Sequence, residues 1–319
     1  MKLTEKEIDK LRIAAMKNNE EKLSELVSFV NEILLSEGCQ TIDSTQIKFY
    51  PQSIGNTFIG ETLTSTYLSE IIYRYYYPTA PSGIYAHFTT LEALESILVT
   101  EKKIRLTSMI KRKDDWEFKL FYEEHGITGY TREVGNTTLD ETLMRELFYM
   151  SLTDNKTEEI DIKRGIWNYF GVYGKGVKII FDISTQHIDF RKVCYQNEKI
   201  KNKEALLHKL EKGIYEKYKQ HFVFASVSKI GGFYISKLFT DEFETRYLIK
   251  NGSGSYQLPF TFPIQYNPDQ VPYISLNFHS KWGNFIPIKV QPGKNCERDK
   301  VLQIVNDSGL GLEVLPNAG

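Results

Sequence analysis

The sequence predicts an α+β protein in two parts, a helical N-terminal region over 1–82 and a mixed domain over 83–319. Three observations carry this expectation. Apolar residues recur at helical spacing from Ile8 to Leu34, the break Pro78-Thr79-Ala80-Pro81-Ser82-Gly83 interrupts the chain, and beyond it strand-like runs alternate with amphipathic helices. The chain has 319 residues, 41% hydrophobic and 25% charged, a balance that fits folded protein rather than disorder. Its 20 tyrosines and 19 phenylalanines raise the expected strand content and supply stacking surfaces for planar ligands.

Thr4 with Glu7 forms a capping box, and Ile8, Leu11, Ala15, Leu23, Leu26, Val27, Val30, Ile33 and Leu34 then mark one long helix or a pair ending near Gly38. The polar stretch 41–60 reads as one or two strands with loops, and 64–77 as a helix with Leu68, Ile71, Ile72 and Tyr75 on one side. The second part opens with a strand over 84–89, a helix capped by Thr90, and a strand over 103–107. A polar loop carrying Lys111-Arg112-Lys113-Asp114-Asp115 leads to a helix over 116–124; Asp114 and Glu117 can cap that helix. Asp140 caps the next helix, and Phe148-Tyr149-Met150-Ser151-Leu152-Thr153 reads as a buried strand. Further strands are expected over 177–182, 193–195, 285–290 and 312–315, with helices over 203–218 and 298–305. Pro287 favours an edge position for its strand, because it has no N–H to give a ladder.

The stretch 237–249 concentrates charge. As a strand it places Glu242, Glu244, Arg246 and Leu248 on one face and Phe243, Thr245, Tyr247 and Ile249 on the other. Helical spacing is also present, since Phe239, Phe243 and Tyr247 recur every four residues and Glu242 with Arg246 makes an i,i+4 pair. Thr, Tyr and Ile favour the strand, and the glycine and serine run from Asn251 to Ser255 reads as a hairpin turn returning through Tyr256-Gln257-Leu258. In isolation the charged face is equally a solvated surface with one ion pair.

Several chemistries lose their usual signatures. A formal net charge of −1 announces no overall affinity for nucleic acid or membranes. Three separated cysteines and six histidines match no zinc spacing, so no metal is expected. Neither a phosphate-binding glycine loop nor a Gly-x-Ser-x-Gly elbow occurs. The charged start MKLTEKEID and the lack of a long apolar run lead to the expectation of a cytoplasmic protein. His87 and Thr89 lie two apart on one strand, where an imidazole and a hydroxyl can meet ribose hydroxyls or an amide.

In order, His87-Phe88-Thr89, Asp114-Asp115-Trp116-Glu117, Ser151-Leu152-Thr153, Trp167-Asn168-Tyr169-Phe170 with Gly176-Val177, and Glu242-Phe243-Glu244-Thr245-Arg246 resemble a bacterial family known as domain of unknown function 2971. The resemblance spans about 84–315. Lys113 stands where that family has Asn, and Phe170 where it has Tyr. The His-x-Thr strand, the Ser96-Ile97-Leu98 helix and a late strand glutamate also resemble the ADP-ribosyltransferase superfamily. That likeness implies a split β-sheet domain with NAD as substrate and no metal. Within it His87 and Thr89 hold a ribose or the nicotinamide amide, Tyr169 or Trp167 stacks, and Glu244 is the catalytic carboxylate. Glu242 faces the acceptor, while Arg105, Arg246 or the run Lys111 to Lys113 pairs with the pyrophosphate. The acceptor is a macromolecule, protein or nucleic acid, and relatives are often toxins or phage-defence effectors, so the N-terminal region is expected to regulate activity or bind a partner. An NAD glycohydrolase using the same site is an alternative. So is a non-catalytic module binding a nucleotide or a nucleic-acid end, for which Lys111, Arg112, Lys113, Arg164, Lys175 and Lys178 must share one face.

Overall fold

The computed structural model describes residues 5–51, 57–62, 67–111, 117–125, 127, 133–134, 137–154, 165–196, 206–224, 227–251, 262–267 and 270–319. The chain is mixed α and β and forms two compact units, but the sequence does not divide at one point. The first unit takes Met1–Tyr76 together with Glu123–Ile127 and Asn197–Ile230, and the second takes Tyr77–Tyr122, Thr128–Gln196 and Gly231–Gly319. The expected single boundary at 82/83 therefore misses that the later helix Leu206–Tyr218 joins the N-terminal unit.

In the first unit the helix Glu5–Ser36 buries Leu26, Val30 and Leu34, a fourfold spacing that makes one apolar stripe. It is one helix, ended by Gly38 in a left-handed conformation with φ 71°. Gly213 of the helix Leu206–Tyr218 lies against Phe29, and a Cβ there would meet that ring at 2.7 Å, so close helix contact requires the glycine. The strands Ile47–Pro51 and Thr57–Glu61 pair antiparallel, and Phe222–Val223 adds to Thr57–Glu61 in parallel.

The second unit is built on an eleven-stranded sheet. In chain order its strands are β1 (Gly83–Thr89), β2 (Lys103–Ser108), β3 (Leu147–Asp154), β4 (Val177–Ser184), β5 (Phe190–Lys192), β6 (Glu244–Lys250), β7 (Gln265–Tyr266), β8 (Pro272–Asn277), β9 (His279–Ser280), β10 (Gly283–Pro292) and β11 (Glu313–Val314). The main path runs β7-β8-β2-β3-β1-β4-β10-β9, with all pairs antiparallel. Strand β11 joins β10 in parallel.

Strand β3 has three neighbours, and the sheet branches there. One edge is covered along its length by β6, from Glu244 opposite Thr153 to Lys250 opposite Leu147. On the other edge β2 pairs only at Phe148 and Tyr149, while β1 pairs only at Thr153 and Asp154. Between them β1 and β2 part company, leaving Met150, Ser151 and Leu152 at a gap.

Alternation sorts the two faces. Phe148, Met150 and Leu152 join Tyr85, Ile179, Phe181, Tyr247, Ile249 and Phe285 in the main core, closed by Leu94, Leu98, Val301 and Val305 from flanking helices. The opposite face carries a smaller cluster of Ala86, Phe88, Ile166 and Trp167. Pro287 lies opposite Phe181 of β4 on one side, while on the other β9 reaches only Gly283 and Asn284 and β11 only Lys289 and Val290, so among the described pairings Pro287 has no strand partner there, as an edge position requires. The register with β4 shifts between Pro287 and Lys289.

The stretch 237–249 corrects the sequence expectation in its first half. Lys237–Glu242 is a 3₁₀ helix capped by the Ser236 side chain, and the strand begins only at Glu244. Phe243 separates them in a left-handed conformation, φ 49° and ψ 44°, which is uncommon for a bulky side chain. Glu242 is therefore not on the same strand face as Glu244. The hairpin return over 252–258 lies outside the described residues, and the partners of β6 are β3 and β5 instead.

Candidate functional site

A cleft of about 950 Å³ opens where β1 and β2 separate, wholly within the second unit. That volume suits a small-molecule site. Its wall includes His87, Thr89, Arg105, Ser151, Thr153, Glu242 and Glu244, residues that are far apart in sequence. Strand pairing explains their convergence. Glu244 lies opposite Thr153 and Arg246 opposite Ser151, so the charged face of β6 shares the cleft side of β3.

His87 is partly buried, and its Nδ1 lies 2.8 Å from the Ser151 carbonyl oxygen at the gap. A carbonyl can only accept, so Nδ1 carries the proton and neutral His87 keeps Nε2 as an acceptor. Burial pushes its pKa down, against the opposing pull of the Ser151 carbonyl, and the imidazole is held in its neutral form. The bond also occupies a β3 carbonyl in the stretch that neither β1 nor β2 reaches.

Glu244 and Arg246 form a buried ion pair. Arg246 Nε donates to Glu244 Oε1 at 2.9 Å and NH2 to Oε2 at 3.1 Å, with side chains 0% and 1% exposed for arginine and glutamate. Arg246 NH1 donates to the Gly232 carbonyl at 2.6 Å, and its guanidinium lies 5.0 Å from the Tyr149 ring centre. A solvated charged face is thus excluded for β6. Arg246 is also removed from the candidates for a pyrophosphate partner, because it lies out of reach of solvent and its donors serve these groups.

Glu242 closes the 3₁₀ helix. Its carbonyl accepts from Thr153 Oγ1 at 3.0 Å, which ties the helix end to β3. Beside it the Glu244 N–H donates to the Tyr195 hydroxyl at 2.7 Å. Burial first, and the Glu244 charge next, push the Tyr195 hydroxyl far up, so it stays protonated.

Among the described residues the cations on the wall are Arg105 and Lys111. Arg105 donates through Nε to Glu101 at 3.1 Å and through NH2 to the Ser96 hydroxyl at 2.6 Å, and it stacks 4.6 Å from the Tyr273 ring centre. Burial opposes ionisation of Glu101, yet bonds from Arg105, Ser96 and Ser275 outweigh it and hold the carboxyl below its usual range. Arg105, 30% exposed along its side chain and ion-paired with Glu101, lines the cleft.

Other expectations fare differently. Trp167 is 6% exposed, packs edge-on against Phe88 at 4.9 Å, and is absent from the cleft wall, so it backs the site instead of stacking on a ligand. The Tyr169 side chain lies outside the described residues; Phe170 lines the cleft beside it. Asp114 and the Glu117 side chain also lie outside them, as do Arg112, Lys113 and Arg164. Lys178 is 2% exposed and Lys175 is on the surface, so the six cations of the nucleic-acid reading do not all share an accessible face.

Sequence reasoning missed Tyr195 and Tyr273 as site residues. The strand β8 that carries Tyr273 was legible in the alternation of Tyr273, Ser275 and Asn277 with Ile274 and Leu276. Tyr195 gave no signal, because its role is to meet a backbone N–H distant in sequence. No helix among the described residues is long and apolar enough to cross a membrane. Neither a family model, nor a curated protein, nor a solved structure matches this chain.

Proposed function

We propose that the second unit is a split β-sheet domain resembling the ADP-ribosyltransferase superfamily and that it transfers ADP-ribose from NAD to a macromolecular acceptor. One observation carries this reading. At the branch of the sheet a neutral histidine on β1, the Glu244 carboxylate at the start of β6 and the Glu242 carboxylate at the end of the preceding 3₁₀ helix line one cleft, with Arg105 and Lys111 on the same wall.

The chemistry uses each part. Cleavage of the nicotinamide–ribose bond sends its electron pair to the pyridinium nitrogen, so nicotinamide leaves neutral and positive charge develops at the ribose C1′. A fixed carboxylate beside the ribose stabilises that charge where water is scarce. The acceptor's lone pair forms the new bond to C1′, and its proton passes to the carboxylate. His87 Nε2 accepts from a ribose hydroxyl, and the Thr89 hydroxyl on the same wall adds a second polar contact. Arg105 faces the pyrophosphate, with Lys111 as a second, exposed cation.

The test is incubation with NAD labelled in its adenylate part, following nicotinamide release and transfer of label to protein, DNA and RNA. The wild type is expected to release nicotinamide, and the triple variant Glu242→Gln/Glu244→Gln/Arg246→Gln, which leaves no buried charge unpaired, to lose that activity while keeping its fold. Saturable binding of ADP-ribose with neither release nor transfer would favour a binding module. Release without transfer to any acceptor would favour a glycohydrolase.

A further inference from the structure

We propose that Glu242, rather than Glu244, is the carboxylate that meets the substrate, and that Glu244 with Arg246 is the rigid support that places it. This deepens the ADP-ribosyl transfer reading and rests on it. Glu244 is held at both oxygens by one guanidinium, at 2.9 and 3.1 Å, and its side chain is 1% exposed. The guanidinium is itself fixed by the Gly232 carbonyl and the Tyr149 ring. A substrate hydroxyl that drew Glu244 away would leave a buried arginine without its counter-charge, which is a costly state.

Glu242 stands differently. Both glutamates are buried and line the cleft, but Glu242 ends a short helix and is the more exposed of the two, at 9% against 3%. Phe243, held at φ 49°, turns the chain between them so that neighbours in sequence take separate roles. Bulky residues keep this conformation only where flanking bonds impose it. Here those bonds are Thr153 Oγ1 to the Glu242 carbonyl at 3.0 Å and the Glu244 N–H to the Tyr195 hydroxyl at 2.7 Å. The buried pair anchors the start of β6, and the kink carries Glu242 off that strand. In the reaction Glu242 accepts a hydrogen bond from the ribose 2′-hydroxyl as the nicotinamide bond breaks, then takes the acceptor's proton. Arg246 touches no reacting atom and is a positioning residue.

Two measurements decide the assignment. The first needs no activity: a water-soluble carbodiimide with glycine ethyl ester labels accessible carboxylates, and fragmentation of the tryptic peptide 238–246 tells the two glutamates apart. Coupling at Glu242 ahead of Glu244, reduced by ADP-ribose, is expected; faster coupling at Glu244 overturns the proposal. The second compares nicotinamide release by one single and one double variant, each of unchanged thermal midpoint. Glu242→Gln is expected to lose at least about 100-fold in kcat. Glu244→Gln/Arg246→Gln, which exchanges the ion pair for a neutral amide pair, is expected to lose activity through misplacement of Glu242, by less than Glu242→Gln loses, and to keep the wild-type pH profile. Retained activity in Glu242→Gln, or loss confined to the paired exchange, overturns the assignment. A wild type that releases no nicotinamide removes the transfer reading, and the labelling still decides which carboxylate the cleft presents.

Discussion

Replacing Arg246 by Met tests how the site is built. Methionine keeps most of the stem volume and removes the charge and every donor. The change strands the Glu244 carboxylate, 1% exposed, and takes the NH1 donor, 2.6 Å away, from the Gly232 carbonyl. Breaking a buried pair from one side costs about 3–5 kcal/mol, and the lost bond to Gly232 puts Arg246→Met at the upper end of that range. Domains hold only about 5–15 kcal/mol in all, so the variant should unfold at a much lower urea concentration. Glu244→Leu/Arg246→Met removes both charges together and should recover most of the loss, since well-packed apolar replacements of buried pairs are often neutral or stabilising. Urea denaturation followed by tryptophan fluorescence at pH 7 gives all four corners of the cycle, with an expected coupling of about 3 kcal/mol. A single-variant loss below about 1 kcal/mol would place the pair in a hydrated, screened environment and refute the buried-support reasoning.

Two further outcomes follow from single residues. Burial lowers the His87 pKa below its usual 6.5, so below that pH the unfolded chain binds the proton first and stability falls with falling pH, by at most about 1.4 kcal/mol per pH unit until the folded state also protonates. His87→Asn keeps a donor near the Ser151 carbonyl and should flatten the slope of stability between pH 6.5 and 5, and identical slopes in the two proteins would count against a neutral buried imidazole. A Cβ at Gly176 would lie 2.3 Å from the Thr89 carbonyl oxygen, so Gly176→Ala should cost about 1–3 kcal/mol and displace the cleft wall at Thr89, measured as a lower urea midpoint and weaker ADP-ribose binding; an unchanged midpoint would contradict the close approach.

Much of the local structure was legible from side-chain periodicity. The alternation from Glu244 to Ile249 sorts cleft from core as the sequence predicts, since Tyr247 and Ile249 enter the main core while Glu244 lines the cleft. Thr90 caps its helix by accepting from the Ala93 N–H at 3.1 Å. Periodicity failed where a chain direction changed within one residue. Nothing in the local pattern shows that Phe243 takes a left-handed conformation, because flanking bonds to Thr153 and Tyr195 impose it. Trp167 and Arg246 were over-read as ligand contacts for a related reason: residue type reports what a side chain can do, and burial decides whether it meets a ligand.

By itself, then, the sequence marked the strands over 84–89, 103–107, 148–153 and 177–182 and the helix capped by Thr90, and it showed that His87 and Thr89 share a strand and that acid and base crowd the stretch before Ile249. These are short-range properties, governed by spacing, capping and turn chemistry. Only the tertiary structure decided that β3 takes three neighbours, that the resulting gap exposes the Ser151 carbonyl to His87, and that Arg246 closes on Glu244 while Glu242 ends the preceding 3₁₀ helix. Strand pairing is a long-range choice made by the whole core, and the environment of a charge follows from what that core packs around it.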